Sequence, residues 1–330
     1  MKYQYHALSK RTSSRLLRAG GFFLIALFAF TSFGCVGEQK KQAQDFVKEG
    51  SATSDRLAKY YDTLAQQRAD HLSLTIFELK RTGSPLQDDL KKAYQEQQEA
   101  LAARAVMARK LKGVYDSLGK LIDYDAPSEV SGAVNELKEA IEKTADKKLT
   151  IPDVAGVDPK VILDKAVKDF VGWYQIRQFR KNTPKAQIIL DGIYQLFDSE
   201  KEIYLQISKD YNKITYTTAK YLYEHDQLNG TSFFQQYVEI YGLQVYQAPT
   251  TDPVIKAYVI DMLAEKQKEL NTISEKQRDG QLAGLAKLKK THEDFLLRRK
   301  HEKETANKTA HSIPKSVENL TPTPTITIAV

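Results

Sequence analysis

Apolar positions along this chain recur at steps of three and four over long stretches, the spacing that keeps one stripe of a helix turned toward a partner. From Phe46 the stripe passes through Gly50, Thr53, Leu57, Tyr60, Leu64, Gln67, His71, Leu74 and Glu78. Gly83-Ser84-Pro85 stops that helix, and a second stripe runs from Leu86 through Leu90, Ala93, Gln97, Ala100, Arg104, Ala108, Leu111, Tyr115, Leu118 and Ile122. So short a stop between two long helices folds them back on each other as an antiparallel hairpin.

The middle of the chain is more broken. Asp125-Ala126-Pro127-Ser128 caps a shorter helix over about 129–147, which Gly132 and Asn135 weaken. Residues 148–159 hold Pro152, Gly156 and Pro159 and read as a hinge or linker. A helix over about 160–181 is expected next, with Asn182-Thr183-Pro184 marking a restart. The stripe then resumes at Ile189, Ile193, Leu196, Glu200, Ile203 and Ile207, and continues through Tyr211, Ile214, Thr218 and Tyr221. Asn229-Gly230 breaks it, a short aromatic helix is expected over 232–246, and a last long helix over about 252–303. The expected fold is therefore all-α, an elongated antiparallel bundle of long, coiled-coil-like helices. A rod of about 45 residues is roughly 65 Å long, which disfavours tetratricopeptide repeats with their short helices and period of about 34 residues.

The front of the chain carries a different pattern. Lys10, Arg11, Arg15 and Arg18 precede residues 21–33, which hold no charge, and Gly34-Cys35 follows. This is the layout of a secretory signal, and the apolar run is short for a membrane span, which needs about 20 residues. Within it Thr31-Ser32-Phe33-Gly34-Cys35 resembles the lipobox of bacterial lipoproteins, with Ser32 where leucine is usual. The resemblance covers the first tenth of the chain. It implies cleavage before Cys35, lipidation of that cysteine and anchoring in the cell envelope. Because Val36 is not the aspartate that signals inner-membrane retention, it also implies the outer membrane, facing the periplasm.

The signal changes how the charge is read. Of 49 basic and 42 acidic residues, Lys2, Lys10, Arg11, Arg15 and Arg18 fall in the first 34 positions with no acid beside them, so +2 of the formal +7 remains after cleavage. Nucleic acid is not an expected partner of so nearly neutral a domain. Cys35 is the sole cysteine, so the mature domain has no thiol for a disulfide or a metal site. The expected organisation is a signal peptide at 1–34, a lipid-anchored helical hairpin region at 35–147, the hinge or linker at 148–159, a C-terminal long-helix bundle at 160–304, and a disordered tail at 305–330.

Chemistry-bearing motifs are missing: there is no Cys-x-x-Cys-His, His-Glu-x-x-His, glycine-rich phosphate loop or Gly-x-Ser-x-Gly turn. No histidine has a glutamate three residues before it, as a di-iron bundle requires. No cofactor, metal or catalytic role is expected. Two polar features stand out. Gln67, His71 and Glu78 interrupt the first stripe and Arg104 the second, with Gln97 nearby, which reads as a buried polar layer between the hairpin helices. Tyr221, Tyr223, Tyr237, Tyr241 and Tyr246 belong to a concentration of tyrosines that could form an aromatic binding surface. The expected function is a membrane-anchored helical scaffold or protein-binding module with an envelope protein as partner. The alternative is a sensor or carrier holding a small molecule near the tyrosine-rich segment.

Overall fold

The computed structural model describes residues 13–123, 127–151, 154, 156, 158–163, 179–227, 240–242 and 253–311, and the side chains it describes lie between residues 41 and 294. The fold is an all-α bundle built from α1 (Ser13–Arg81), α2 (Asp88–Asp123), α3 (Pro127–Ala145), α4 (Phe179–Glu224) and α5 (Pro253–His311). Among the described residues the only strand-like pairing is an isolated bridge between Ile151 and Val154.

The α1–α2 hairpin forms where Gly83 interrupts the stripe. Gly83 adopts a φ of 70°, the Ser84 N–H donates to the Leu79 carbonyl at 2.8 Å and the Gly83 N–H donates to the Lys80 carbonyl at 3.3 Å. This is a Schellman cap, and Pro85 keeps the helix from resuming. Lys80 and Arg81 in the last turn of α1, and Asp88 and Asp89 in the first turn of α2, suit the dipoles of their helix ends.

α1 is the central rod, packing against α2, α4 and α5, while α3 lies on α2 and α5 on α4. That position explains a feature hidden in the periodicity. Beside the expected stripe, α1 buries a second one through Val47, Ser54, Ala58, Tyr61 and Arg68. A helix with neighbours on several sides must cover more than one seam. The Tyr115 ring lies directly on the α1 backbone at Gly50, where a Cβ would overlap it.

One large core cluster draws on all five helices, from Phe46 and Leu57 to Leu285 and Leu288. Leu149, Ile151 and Leu163 belong to the same cluster. The stretch expected to act as a hinge or linker is therefore partly packed, and residues on both sides of it share one core. A smaller cluster of Ala219, Tyr241 and Leu263 closes the far end between α4 and α5.

Three expected boundaries move. α4, described from Phe179, runs through Asn182-Thr183-Pro184 without a restart. It ends at Glu224 rather than at Asn229-Gly230, with Asp226 taking a φ of 53° in the capping position. α5 continues through His311 into residues expected to be a disordered tail, because Glu302-Lys303-Glu304, Ala306, Lys308 and Ala310 favour helix, with no proline before Pro314. Most of the expected helix over 160–181, most of the aromatic helix over 232–246, residues 1–12 and residues 312–330 lie outside the described residues. The α4 stripe also shifts: beyond Ile207 the buried positions are Ser208, Asn212, Thr215, Thr218, Ala219 and Leu222, while Tyr211 and Ile214 are half-buried.

Candidate functional site

The polar residues singled out in the stripes do not form one layer. They divide among several rungs along α1. Arg104 is fully buried, and its partner is Glu200 on α4, itself fully buried. Arg104 Nε donates to Glu200 Oε2 at 2.7 Å, and Nη2 donates to Oε1 in a second, shorter bond, so the fork is bidentate. Nη1 donates to the Ala100 carbonyl at 2.8 Å and the Lys147 carbonyl at 3.2 Å. The Tyr204 hydroxyl donates to Glu200 Oε2 and stands 3.5 Å from the Tyr61 hydroxyl. Burial alone would lower the Arg104 pKa, but the adjacent Glu200 carboxylate raises it, so the guanidinium stays charged. Burial, reinforced by the Glu200 charge, pushes the Tyr204 hydroxyl well above its ordinary value. Around the pair, Tyr60, Tyr61, Phe197 and Tyr204 stack with ring centroids between 5.2 and 6.3 Å apart.

The other layer residues sit further along α1. Gln67 accepts from Ser208 on α4 at 2.8 Å. Glu78 pairs with Arg81 and accepts from Thr218 at 3.3 Å. Between them, His71 Nδ1 lies 2.6 Å from the Tyr94 hydroxyl and 3.2 Å from Arg68 Nη1. Burial, helped by the Arg68 charge, lowers the His71 pKa to about 4, so the ring is neutral at pH 7 and its Nδ1 accepts. A further rung joins Asn212 to Asn271 at 3.0 Å between α4 and α5. Gln97 belongs to the His71 neighbourhood, where its Oε1 accepts from Arg68 Nε and its Nε2 donates to the Thr150 carbonyl.

Two members of the site carried weak signals in the sequence. Glu200 is a single acid among Leu196, Ile203 and Ile207, and a single arginine interrupts the facing alanines of α2. Opposite charges at core positions of two stripes are a pairing signal. Arg68 lies off the expected stripe, and only the second seam of α1 buries it.

Of the tyrosines proposed as a surface, Tyr241 is buried and donates to the Asn212 carbonyl at 3.2 Å, which makes it part of the α4–α5 packing. Tyr221 is half-buried, stacks on His225 at 4.1 Å between centroids and lies 4.3 Å under the Arg81 guanidinium. Tyr223 follows near the end of α4. Tyr237 and Tyr246 lie outside the described residues, and the side chain of Cys35 does too, although α1 passes through that position.

Beside His71 the bundle opens into a cavity of about 560 Å³ bordered by α1, α2, α4 and Val154. Arg68, His71, Tyr94, Gln97, Asp210 and Lys213 bring polar groups to it, and Leu90, Ala93, Val154 and Ile214 bring apolar walls. Among the described residues no group of three or more His, Cys, Asp or Glu is placed to hold a metal ion, and no helix is long and apolar enough to cross a membrane.

Fold and site together define a helical bundle with a buried Arg–Glu pair in its main core and a polar cavity on one flank. Comparison with protein-family models, with curated proteins and with solved structures finds no match in any of the three.

Proposed function

We propose that this protein is a lipid-anchored helical scaffold of the cell envelope, held by an acylated Cys35 and presenting its bundle to a protein partner, without catalytic activity of its own. The observation that carries this reading is the short distance between the anchor and the packed body. α1 is continuous through Cys35, and Ala43, Phe46 and Val47 are already buried, the first of them about two helical turns beyond the cysteine. A helix that enters the core so soon leaves little slack, so the bundle stands on the membrane as a rigid mount. From that base the 46 residues of α4 and the 59 of α5 form rods of about 70 and 90 Å. Acyl chains contribute about 0.8 kcal/mol per buried CH₂, enough for stable anchoring when several act together.

The test is metabolic labelling with palmitate in a bacterial host, with crosslinking of the membrane fraction. The native chain should incorporate label and yield a stoichiometric crosslinked protein, and Cys35→Ser should incorporate none. Label in Cys35→Ser would overturn the anchor. Failure to crosslink in the labelled, membrane-bound native protein would overturn the scaffold role.

A further inference from the structure

Arg68 is in an unusual position for a cation. Its side chain belongs to a residue only 3% exposed, and burying a guanidinium is costly unless an anion compensates it. Arg104, the other buried arginine of α1 and α2, has Glu200. Arg68 has no carboxylate at ion-pair distance among the described residues. Of its five N–H groups, Nε goes to Gln97 Oε1 and one Nη1 hydrogen to His71 Nδ1. Among the described residues the Nη2 group has no acceptor.

The surroundings hold that guanidinium in place. Its face lies 4.0 Å from the Tyr94 ring centre. The Tyr94 hydroxyl donates to the same His71 nitrogen that Arg68 approaches, and Gln97 is fixed at its other end by the Thr150 carbonyl. Neutral His71 and the amide of Gln97 orient the arginine without cancelling its charge, which the more distant Asp210 carboxylate offsets only in part. This is the arrangement of a recognition arginine, whose remaining N–H groups are positioned before a ligand arrives.

The cavity it borders matches a ligand in size and charge. Its volume of about 560 Å³ falls within the range of small-molecule sites. Its charged residues are Arg68, Lys213 and Asp210, leaving one net positive charge. Asp210 is occupied in part by Gln206, whose Nε2 donates to Oδ1 at 2.7 Å, and Lys213 makes no ion pair among the described residues. Leu90, Ala93, Val154 and Ile214 supply walls for an apolar body.

We propose that the cavity between α1, α2 and α4 binds a small organic monocarboxylate, its carboxylate on the free N–H groups of Arg68 and its apolar body against Leu90, Ala93 and Ile214. A planar carboxylate takes two parallel hydrogen bonds from a guanidinium fork, and Lys213 adds a second positive charge on the α4 side. The site does not depend on the lipid anchor. It also moves a small-molecule function away from the tyrosine-rich segment, where Tyr241 is committed to packing.

The full chain, purified in a non-ionic detergent, is titrated calorimetrically with hexanoate, benzoate and phenylacetate, with their three primary amides, and with inorganic phosphate as competitor. At least one carboxylate should bind while its amide does not. Arg68→Gln should weaken binding at least about tenfold, the effect of losing a charge-assisted hydrogen bond. Ala93→Phe narrows the apolar side of the cavity with Arg68 intact and should also weaken binding, with an unchanged helical circular dichroism spectrum as the check on folding. The proposal is overturned if none of the three carboxylates binds, if amides bind equally, or if a folded Ala93→Phe variant binds as the native chain does. Displacement of the carboxylate by an equal concentration of phosphate would show a site that reads charge alone, and would overturn the carboxylate assignment.

Discussion

Two histidines, one buried and one half-buried, make the stability of the molecule sensitive to acid. His292 on α5 is 1% exposed and packs its ring 5.1 Å from Phe46, with no hydrogen-bond partner for Nδ1 among the described residues. Burial lowers its pKa to about 4, against a small opposing pull from Asp191, and His71 is lowered to the same range. The unfolded chain binds protons at these residues below about pH 6.5 while the folded chain stays neutral until about pH 4. In that window the unfolded state holds more protons, so stability falls as pH falls, by up to about 1.4 kcal/mol per pH unit for each histidine. Urea denaturation at pH 7.5, 6 and 5 should show the decline. His292→Phe keeps the packing on Phe46 and removes an unpartnered polar atom, so it should raise stability by roughly 1 kcal/mol at pH 7 and by more at pH 5. A variant that loses stability with acid as steeply as the native chain would show that His292 is not one of the groups responsible.

At the scale of elements, the two long helices that end within the described residues stop by the same cap with different residues. α1 uses Gly83, and α4 uses Asp226, where the Gln227 N–H donates to the Leu222 carbonyl at 2.9 Å. A left-handed backbone costs a side-chain-bearing residue about 1–2 kcal/mol. Asp226 offsets part of this through its 2.8 Å ion pair with Lys256 at the start of α5, which ties the two helices together where they meet. Gly83→Ala should therefore lower stability by about 1 kcal/mol, although nothing crowds a Cβ there. Asp226→Gly should change it by less than about 0.5 kcal/mol, because relief of backbone strain is balanced by loss of the ion pair and a freer unfolded chain. Equal losses in the two variants, measured by denaturant midpoints, would refute the backbone explanation.

At the scale of the molecule, the Arg104–Glu200 pair locks α2 to α4 across 96 residues of sequence. Desolvating two charges is expensive, and a buried pair seldom stabilises a core more than apolar residues of similar volume would. Removing one partner is worse, since it leaves a lone charge in the core. Arg104→Met or Glu200→Leu alone should cost about 3–5 kcal/mol, whereas the double variant should regain most of that loss. Additive losses in the double-mutant cycle would mean that the two residues act independently. With the rungs at Gln67–Ser208, Glu78–Thr218 and Asn212–Asn271, the pair gives each helix polar points that match at one register only, a requirement that uniform leucine seams would leave open.

The sequence by itself determined the fold class, the α1–α2 hairpin and its stop at Gly83, because helical periodicity and cap chemistry are local and survive in a one-dimensional pattern. It also marked Gln67, His71, Glu78 and Arg104 as polar residues in apolar stripes. Which residue answers each of them was decided only by the tertiary structure. Arg104 meets Glu200 on a helix distant in sequence, His71 meets Tyr94 and Arg68, and Gln67 meets Ser208. Arg68 was illegible for a geometric reason: a stripe read at steps of three and four assumes one partner, and α1 has three. The packed state of Leu149 and Ile151 was hidden for a related reason, since proline and glycine report where the backbone turns and carry no information about what the turn is pressed against.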